Sequence, residues 1–316
     1  MPDSLNVLIT GGAGFIGRHL VRGLLSKGYS IRVADNFQAS SREDLSEFEG
    51  SIDILEGDLS QREIARASCQ DMDCILHHAA MVDVQESVRQ PISCARNGEL
   101  TTLNLLEACV ENKVKRFILA SSASVYGDSD HLPNSEHHRT QPMTPYAASK
   151  LASEGYVSVY AKVKGLDALS LRYFNIFGPG QHMNGGYAAV ISIFLNKMSR
   201  GECPHIYGDG EQTRDFVFID NIVHANQLAL ERKESFNGEA VNIGSGESIS
   251  LNQLVAMLNE CLKSDLKPTF GEFKRGDVRH SCANIQKAVD LFGYSPCVKF
   301  REGLDRLILN YRGSAQ

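Results

Sequence analysis

The sequence predicts an α/β protein: a doubly wound parallel sheet with a smaller domain interleaved toward its C-terminal end. Three observations carry the prediction. Short apolar runs alternate with amphipathic stretches from residue 5 to residue 173, as in a chain of strand–helix–strand units. The first run, Leu5-Asn6-Val7-Leu8-Ile9-Thr10, breaks into Gly11-Gly12-Ala13-Gly14-Phe15-Ile16-Gly17 and then into a helix. The rhythm changes after Phe177, where Gly178-Pro179-Gly180 and Gly185-Gly186 interrupt the chain. The expected division is 1–176 for the sheet domain, with 215–240 returning to it, and 177–214 plus 241–316 for the smaller domain.

The opening strand is apolar enough to be buried on both faces. Phe15, Ile16, His19, Leu20 and Leu24 then recur at helical spacing until Lys27-Gly28 closes the helix with a cation and a left-handed glycine. Gly11 turns the chain off the strand, Gly14 lets a pyrophosphate approach the backbone, and Gly17 lets the helix lie close on the sheet. The helix N-terminus, from Phe15 and Ile16, offers unpaired N–H groups to phosphate. The second strand, 29–34, ends in Asp35-Asn36. A carboxylate there accepts both ribose hydroxyls of an adenosine and repels a 2′-phosphate, which selects NAD. A short helix over 40–50 leads to a third strand over 52–58. Asp58-Leu59 at its end would sit beside the adenine, and Asp58 is also placed to cap the helix from Gln61. The fourth strand, 74–80, ends small at Ala79-Ala80, so its backbone can approach a cofactor. One long amphipathic helix is expected through Leu100, Leu103, Leu105, Leu106, Ala108 and Cys109, then a fifth strand over 116–121, a helix over 146–165 and a sixth strand over 169–173. Beyond Phe177 the pattern predicts a helix over 188–200, a turn at Tyr207-Gly208-Asp209-Gly210, and a strand over 216–219. Asp220 would cap a helix running to Leu230, and two more helices follow over 251–262 and 285–292.

Composition excludes several classes. In 316 residues, 42% hydrophobic and 22% charged is an ordinary globular balance, and a net charge of −6 gives no broad basic footprint for nucleic acid. No apolar run approaches the roughly 20 residues of a membrane span, and a strand already under way at Leu5 leaves no room for a signal peptide. Eight cysteines form no C-x-x-C pair, so free and mostly buried thiols in a reducing cytoplasm are expected. The doublets His77-His78 and His137-His138 have no partner at ligand spacing, so no metal is expected.

The catalytic signal is Thr144-Pro145-Tyr146-Ala147-Ala148-Ser149-Lys150. Thr144 can cap and Pro145 suits a first turn, so Tyr146 starts a helix. Positions i and i+4 share a face, which points Tyr146 and Lys150 together into the cleft. A nearby ammonium and an oxidised nicotinamide would lower the phenol's pKa toward that of a usable base. Ser121-Ser122-Ala123-Ser124 follows the fifth strand directly; Ser122 is the first candidate to hydrogen-bond the reacting oxygen and Ser124 the second. Serines that merely satisfy backbone at a strand end are the plainer alternative.

The spacing of Gly11, Gly14 and Gly17 resembles the extended short-chain dehydrogenase/reductases. Taken with Ser121–Gly127, Tyr146–Lys150, the run from Leu171 to Pro179 and the run from Gly208 to Phe216, it resembles their nucleotide-sugar 4-epimerases, above all those of UDP-galactose and UDP-N-acetylglucosamine. The resemblance covers nearly the whole chain. It implies a Rossmann-type fold, tightly held NAD, a UDP-sugar substrate and a homodimer built on the helices over 99–112 and 146–164. It implies that Ser122 and Tyr146 are catalytic, that Lys150 binds the nicotinamide ribose and that Tyr173 lies against the cofactor. On the substrate side it implies Ser122, Ser124, Tyr146, Asn175, Ala189, Val190, Tyr207, Arg214, Lys274, Asp277 and Ser281. Tyr146 would take the O4 proton while C4 is oxidised, the 4-keto sugar would turn, and reduction on the other face would complete the epimerisation.

Gly185 to Ile191 and Gly276 to Ser281 look like the subgroup that accepts N-acetylated sugars, with the small Ser281 leaving space for an acetamido group. Ala123 and Ser124 stand where the related dehydratases carry Asp-Glu, so dehydration is disfavoured. Asp35 disfavours an NADPH-using reductase. Asp83 stands where these epimerases often have Ser, Gly98 where they often have Asn, and Lys274 where Arg is common. Asp83 near the sugar would be unfriendly to an anionic uronate. The expected activity is therefore 4-epimerisation of a UDP-hexose, N-acetylated or plain. UDP-glucuronate epimerisation, dehydratase or reductase activity, and a catalytically silent NAD sensor are the alternatives.

Overall fold

Seven parallel strands form the central sheet. In chain order they are β1 (Asn6–Thr10), β2 (Ser30–Asp35), β3 (Ile52–Glu56), β4 (Cys74–His77), β5 (Arg116–Ser122), β6 (Asp167–Tyr173) and a late strand, Asn237–Ile243. Across the sheet the order is Asn237–Ile243, β6, β5, β4, β1, β2, β3. The order reverses between β1 and β4, which pair in register from Val7↔Cys74 to Thr10↔His77. A crevice opens at that reversal, beyond the carboxyl ends of the strands. The computed structural model describes residues 5–181, 190–273 and 278–314.

The sheet is buried on both faces. Along β1, Val7 and Ile9 enter one apolar cluster and Leu8 the other. One face is covered by α1 (Phe15–Leu25) and the helix Ile219–Glu231, which approach so closely that a Cβ on Gly23 would lie 2.5 Å from Val223. The other face is covered by α2 (Arg62–Cys69), by the helix Thr101–Asn112, and by α6 (Pro145–Lys164), which the side chain of Thr144 caps at the N–H of Ala147. Pro145 sits in the first turn of α6 and Gly165 ends it with a left-handed φ of 70°.

The helix expected through Leu100 to Cys109 is α5 (Thr101–Asn112), entered through a π turn over Arg96–Leu100; ahead of it stand two short helices that the sequence pattern did not announce, α3 (Val84–Arg89) and α4 (Pro91–Ala95). Pro91 ends α3 because it has no N–H to donate and bends the residue before it, Gln90, to φ −128° and ψ 62°. The π turn at Gly98 brings the chain against α6; a Cβ there would lie 2.1 Å from the Ser149 hydroxyl. The helix expected over 40–50 is a 3₁₀ segment, Arg42–Phe48. Asp58 does not cap α2, which begins at Gln61 with no side-chain cap. Its carboxylate instead accepts the N–H of Ser60 and pairs with Arg96. Asp220 is likewise inside its helix, whose cap is Phe218, and it pairs with Arg306. The strand Asn237–Ile243 and the last helix, Phe300–Ser314, are elements that the sequence pattern did not announce.

Four of the cysteines, Cys69, Cys74, Cys94 and Cys109, are buried, whereas Cys203 and Cys297 are exposed. Burial as the general rule therefore fails for the C-terminal half, where these two lie at loop positions. Among the described residues no helix is long and apolar enough to cross a membrane. The helix expected over 188–200 is described from Val190 to Ser199; Ala189, Lys274 and Asp277 lie outside the described residues.

Gly17 carries the tightest packing in the fold's first unit. A Cβ there would lie 2.3 Å from the Gly11 carbonyl oxygen and 2.5 Å from the Gly12 Cα, both backbone atoms. Gly17→Ala is expected to lower stability by about 2 kcal/mol, the range of core overpacking. Equilibrium urea unfolding measures it.

Candidate active site

The crevice is built first from the end of β1. Gly11 has a left-handed φ of 67°, and a Cβ on it would lie 2.8 Å from the Ala79 nitrogen, so the turn rests on the backbone that leaves β4. Gly14 is the N-cap of α1 and no side chain caps that helix. Its first-turn N–H groups therefore face the crevice as an anion site. Asp35 closes the other side. It is 8% exposed, and its two oxygens accept the N–H of Ala13 at 3.0 Å and of Phe37 at 2.9 Å. A bare helix N-terminus, glycines at the points of closest approach and an acid at the end of β2 fit a dinucleotide without a 2′-phosphate. Asn36 accepts the N–H of Gln38, and Leu59 is buried with its carbonyl held by Asn104. Phe15 and Ile16 are half-buried against the core.

Thr10 and His77 brace this turn. The Thr10 hydroxyl accepts the N–H groups of His78 and Ala79, each at 3.1 Å, so its own hydrogen goes to His77 Nδ1 at 2.8 Å. His77 then carries its proton on Nε2, which faces the Thr102 hydroxyl at 3.1 Å. Burial holds His77 well below its ordinary pKa, and the charge on Lys150 adds to that. The histidine doublet is thus a structural brace, and among the described residues no group of three His, Cys, Asp or Glu could hold a metal. His78 faces the crevice. It stacks on Tyr173 with centroids 5.9 Å apart, and its Nε2 lies 3.1 Å from the Tyr173 hydroxyl, which Asn226 also contacts at 2.8 Å.

Ser122, Tyr146 and Lys150 meet where β5 ends and α6 begins. Ser122 caps the short 3₁₀ turn Ala123–Tyr126 by accepting the N–H of Ser124. The Tyr146 phenol faces the Ser122 hydroxyl, and its backbone N–H donates to Ser87 at 3.2 Å. Burial pushes the phenol's pKa up, and the Ser122 hydroxyl only partly offsets this. The expected lowering by Lys150 is absent from the protein alone. The ammonium lies over the phenol ring, its nitrogen 5.9 Å from the centroid, and donates to the Ala120 carbonyl at 2.7 Å. Burial brings Lys150 down to about 8, opposed by Cys94 and Glu154. The Ser124 hydroxyl, two residues from Ser122, is buried with no hydrogen-bond partner among the described residues.

Under this trio lies a buried network that sequence reading did not find. Glu154, one turn beyond Lys150, pairs through both oxygens with Arg172 at 2.9 and 2.7 Å and accepts the Ser121 hydroxyl at 2.5 Å. Arg172 also donates to the Tyr126 hydroxyl, which donates to Asn242 at 2.7 Å. The signals were there: Glu154 shares the Lys150 face at i+4, and Arg172 is a charge inside an apolar strand. Asp215 was also missed. Fully buried, it accepts the N–H groups of Ser245, Gly246 and Ala283 and the Ser245 hydroxyl, and it fastens the loops around Arg214 and Ser281. Arg214 donates to the carbonyls of Thr213 and Arg279. Ser281 is 8% exposed, and its N–H bonds Thr213. Asn175 is exposed at the start of a short strand paired to Phe216–Phe218, Tyr207 is half-exposed against His205, and Val190 begins its helix.

The buried ammonium has a measurable consequence. Lys150 titrates near 8 when folded and near 10.5 when unfolded, so between those values the unfolded chain binds the extra proton. Below about pH 8 the native state bears the full cost, which fades as pH rises toward 10.5. Lys150→Met is therefore expected to stabilise the fold at pH 7 by about 1–2 kcal/mol, after allowing for the unpaired Ala120 carbonyl. The gain should shrink above pH 8. Denaturant unfolding of both proteins from pH 6.5 to 10 measures it.

Comparison with known proteins agrees with this geometry. A family profile described as "NAD dependent epimerase/dehydratase family" matches residues 7–244. The structure of UDP-glucose 4-epimerase from Thermotoga maritima, solved with UDP-glucose, is 35% identical, with a TM-score of 0.93 over 99% of this chain and 100% of that one. UDP-N-acetylglucosamine 4-epimerase from Methanobrevibacter ruminantium, solved with UDP-N-acetylmuramic acid, is 34% identical, with a TM-score of 0.92 over 98% and 99%. UDP-glucuronic acid 4-epimerase from Bacillus cereus, solved with UDP-glucuronic acid and NAD, is 30% identical, with a TM-score of 0.90 over 98% and 100%. With a family match across most of its length and relatives of this identity over nearly all of it, the chain belongs to the NAD dependent epimerase/dehydratase family.

Proposed function

We propose that the protein is a 4-epimerase of a UDP-hexose, acting on UDP-glucose/UDP-galactose, UDP-N-acetylglucosamine/UDP-N-acetylgalactosamine, or both. The observation that carries this reading is the meeting of Ser122, the Tyr146 phenol and the Lys150 ammonium at the carboxyl end of β5, in a turn with no carboxylic acid at positions 123 and 124. Such a turn can move a proton on and off a hydroxyl but cannot eliminate water from a neighbouring carbon, which argues against a dehydratase.

The residues divide the work. The bare N-terminus of α1, Gly11, Gly14 and Asp35 hold the NAD, with Ala79, Ala80 and Tyr173 along its length. NAD, when bound, supplies the acceptor for the C4 hydrogen and returns it. Tyr146 takes the O4 proton and gives it back, with the Ser122 hydroxyl bridging to the same oxygen. Lys150 keeps its ammonium under this pair and donates to a ribose hydroxyl as well as to Ala120. Arg214, Asn175, Tyr207 and Ser281, on segments within 175–214 and 241–316, hold the UDP, with Lys274, Asp277, Ala189 and Val190 assigned to the same lobe by resemblance alone. Anchoring the nucleotide far from C4 leaves the sugar free to turn between the two half-reactions.

Epimerisation of UDP-glucuronate is the second reading, favoured by the likeness to the Bacillus cereus enzyme. Incubating the purified protein with UDP-glucose, UDP-N-acetylglucosamine and UDP-glucuronate separately, without added NAD, and following C4 configuration by proton NMR tests both. Conversion of a neutral sugar, lowered by roughly 10³-fold in Tyr146→Phe, is expected. No conversion of any, with or without NAD, would overturn the proposal.

The functional unit is proposed to be a homodimer. Tyr156, Val159 and Val163 on α6 are 39%, 51% and 71% exposed, next to Leu100 and Val110 at 42% and 39%. Such a stripe on two adjacent helices is self-complementary about a two-fold axis. Sedimentation should give a dimer for the native protein and a monomer for the double variant Val159→Glu, Val163→Glu.

A further inference from the structure

Asp83 lies in the loop that leaves β4, over the same edge of the sheet as Ser122 in the loop that leaves β5. The two strands pair at His77↔Leu119, so the loops are neighbours above the crevice. Two contacts fix the loop on the reaction side: His78 stacks on Tyr173 at its start, and Ser87 accepts the Tyr146 backbone N–H one turn into α3. Asp83 stands between them, at the N-cap of α3, with its side chain almost wholly buried. One oxygen, Oδ1, accepts the N–H of Glu86 at 3.0 Å. Among the described residues the carboxylate has no hydrogen bond from any other side chain and no cationic partner. A serine or asparagine would cap α3 as well, so the cap does not demand a charge.

We infer that Asp83 selects substrates by charge, making the sugar pocket one for hexoses that are neutral at C6 and excluding uronates. The inference rests on the epimerase reading and names the substrate class for it. A carboxylate shielded from water repels a second carboxylate a few ångströms away with little screening. At an effective dielectric near 20 and about 7 Å, that is worth roughly 10- to 100-fold in kcat/KM. The same Oδ2 lone pairs accept sugar hydroxyls, so a neutral hexose meets no equivalent penalty.

The test is the ratio of kcat/KM for UDP-glucose to that for UDP-glucuronate in the native protein, Asp83→Asn and Asp83→Ser, with thermal unfolding to verify folding. Asp83→Asn keeps size and cap and removes only the charge. The ratio should fall at least 10-fold in both variants, chiefly through a lower KM for the uronate. A ratio that stays the same in both variants, or native preference for the uronate, would overturn the inference while leaving the epimerase standing. Turnover of neither sugar, and none of UDP-N-acetylglucosamine, by the native protein would overturn the epimerase reading and the inference with it.

Discussion

A buried ammonium is the constraint on which the rest of the site depends. Lys150 is 7% exposed and donates a hydrogen bond to the Ala120 carbonyl. An ammonium in such a place loses its hydration and must find compensation nearby. The compensation is Glu154, but a second buried charge needs its own partner, which is Arg172. Arg172 in turn needs acceptors for its remaining N–H groups, and the Tyr126 hydroxyl is one of them. A demand that starts at one catalytic position thus propagates through α6, β6 and the turn after β5. Those are the elements that must be held still for the Ser122 hydroxyl to face the Tyr146 phenol.

The network does not stop at the sheet. Tyr126 donates to Asn242 on the edge strand, and Asn242 donates to the carbonyls of Asn134 and Asn284. Asn284 is adjacent to Ala283, whose N–H goes to Asp215, next to Arg214. Buried polar networks of this kind specify one arrangement because any slip leaves several groups unpaired at once. The segment carrying Ser281 and the helix carrying Tyr146 are thereby held in a single register. This suits a reaction in which a substrate gripped at one end reacts at the other.

The sheet was legible because its signals are local. The glycine turn and the alternation of strands and helices each follow from the residues at that place, and Gly11 and Gly17 do there what their chemistry suggests. The same holds for Thr144, Pro145 and Tyr146 at the start of α6. What was not legible depends on partners far away in the chain. The two short helices ahead of α5 had no periodic signal, because Pro91 and the approach of Gly98 to Ser149 set where they end and begin. Asp58 and Asp220 looked like caps because they stood before helices, yet Arg96 and Arg306 claim them. The pKa of Tyr146 was expected to fall beside Lys150. In the protein alone it rises, because burial strips the phenol of its hydration; the expectation had counted an oxidised nicotinamide beside it as well. Asp215 had no local signature at all; its four donors come from residues 245, 246 and 283.

The central claim is that the site oxidises and re-reduces the same carbon without exchange with solvent. The most direct measurement uses a UDP-hexose carrying deuterium at C4, incubated with the purified protein in ordinary water and followed to equilibrium by NMR. The account predicts that both epimers keep the deuterium at C4, because the hydrogen leaves and returns within one closed site. Loss of the label to solvent as the epimer forms would contradict it, since inversion would then proceed by removing a proton from carbon, chemistry for which Ser122, Tyr146 and Lys150 are not arranged.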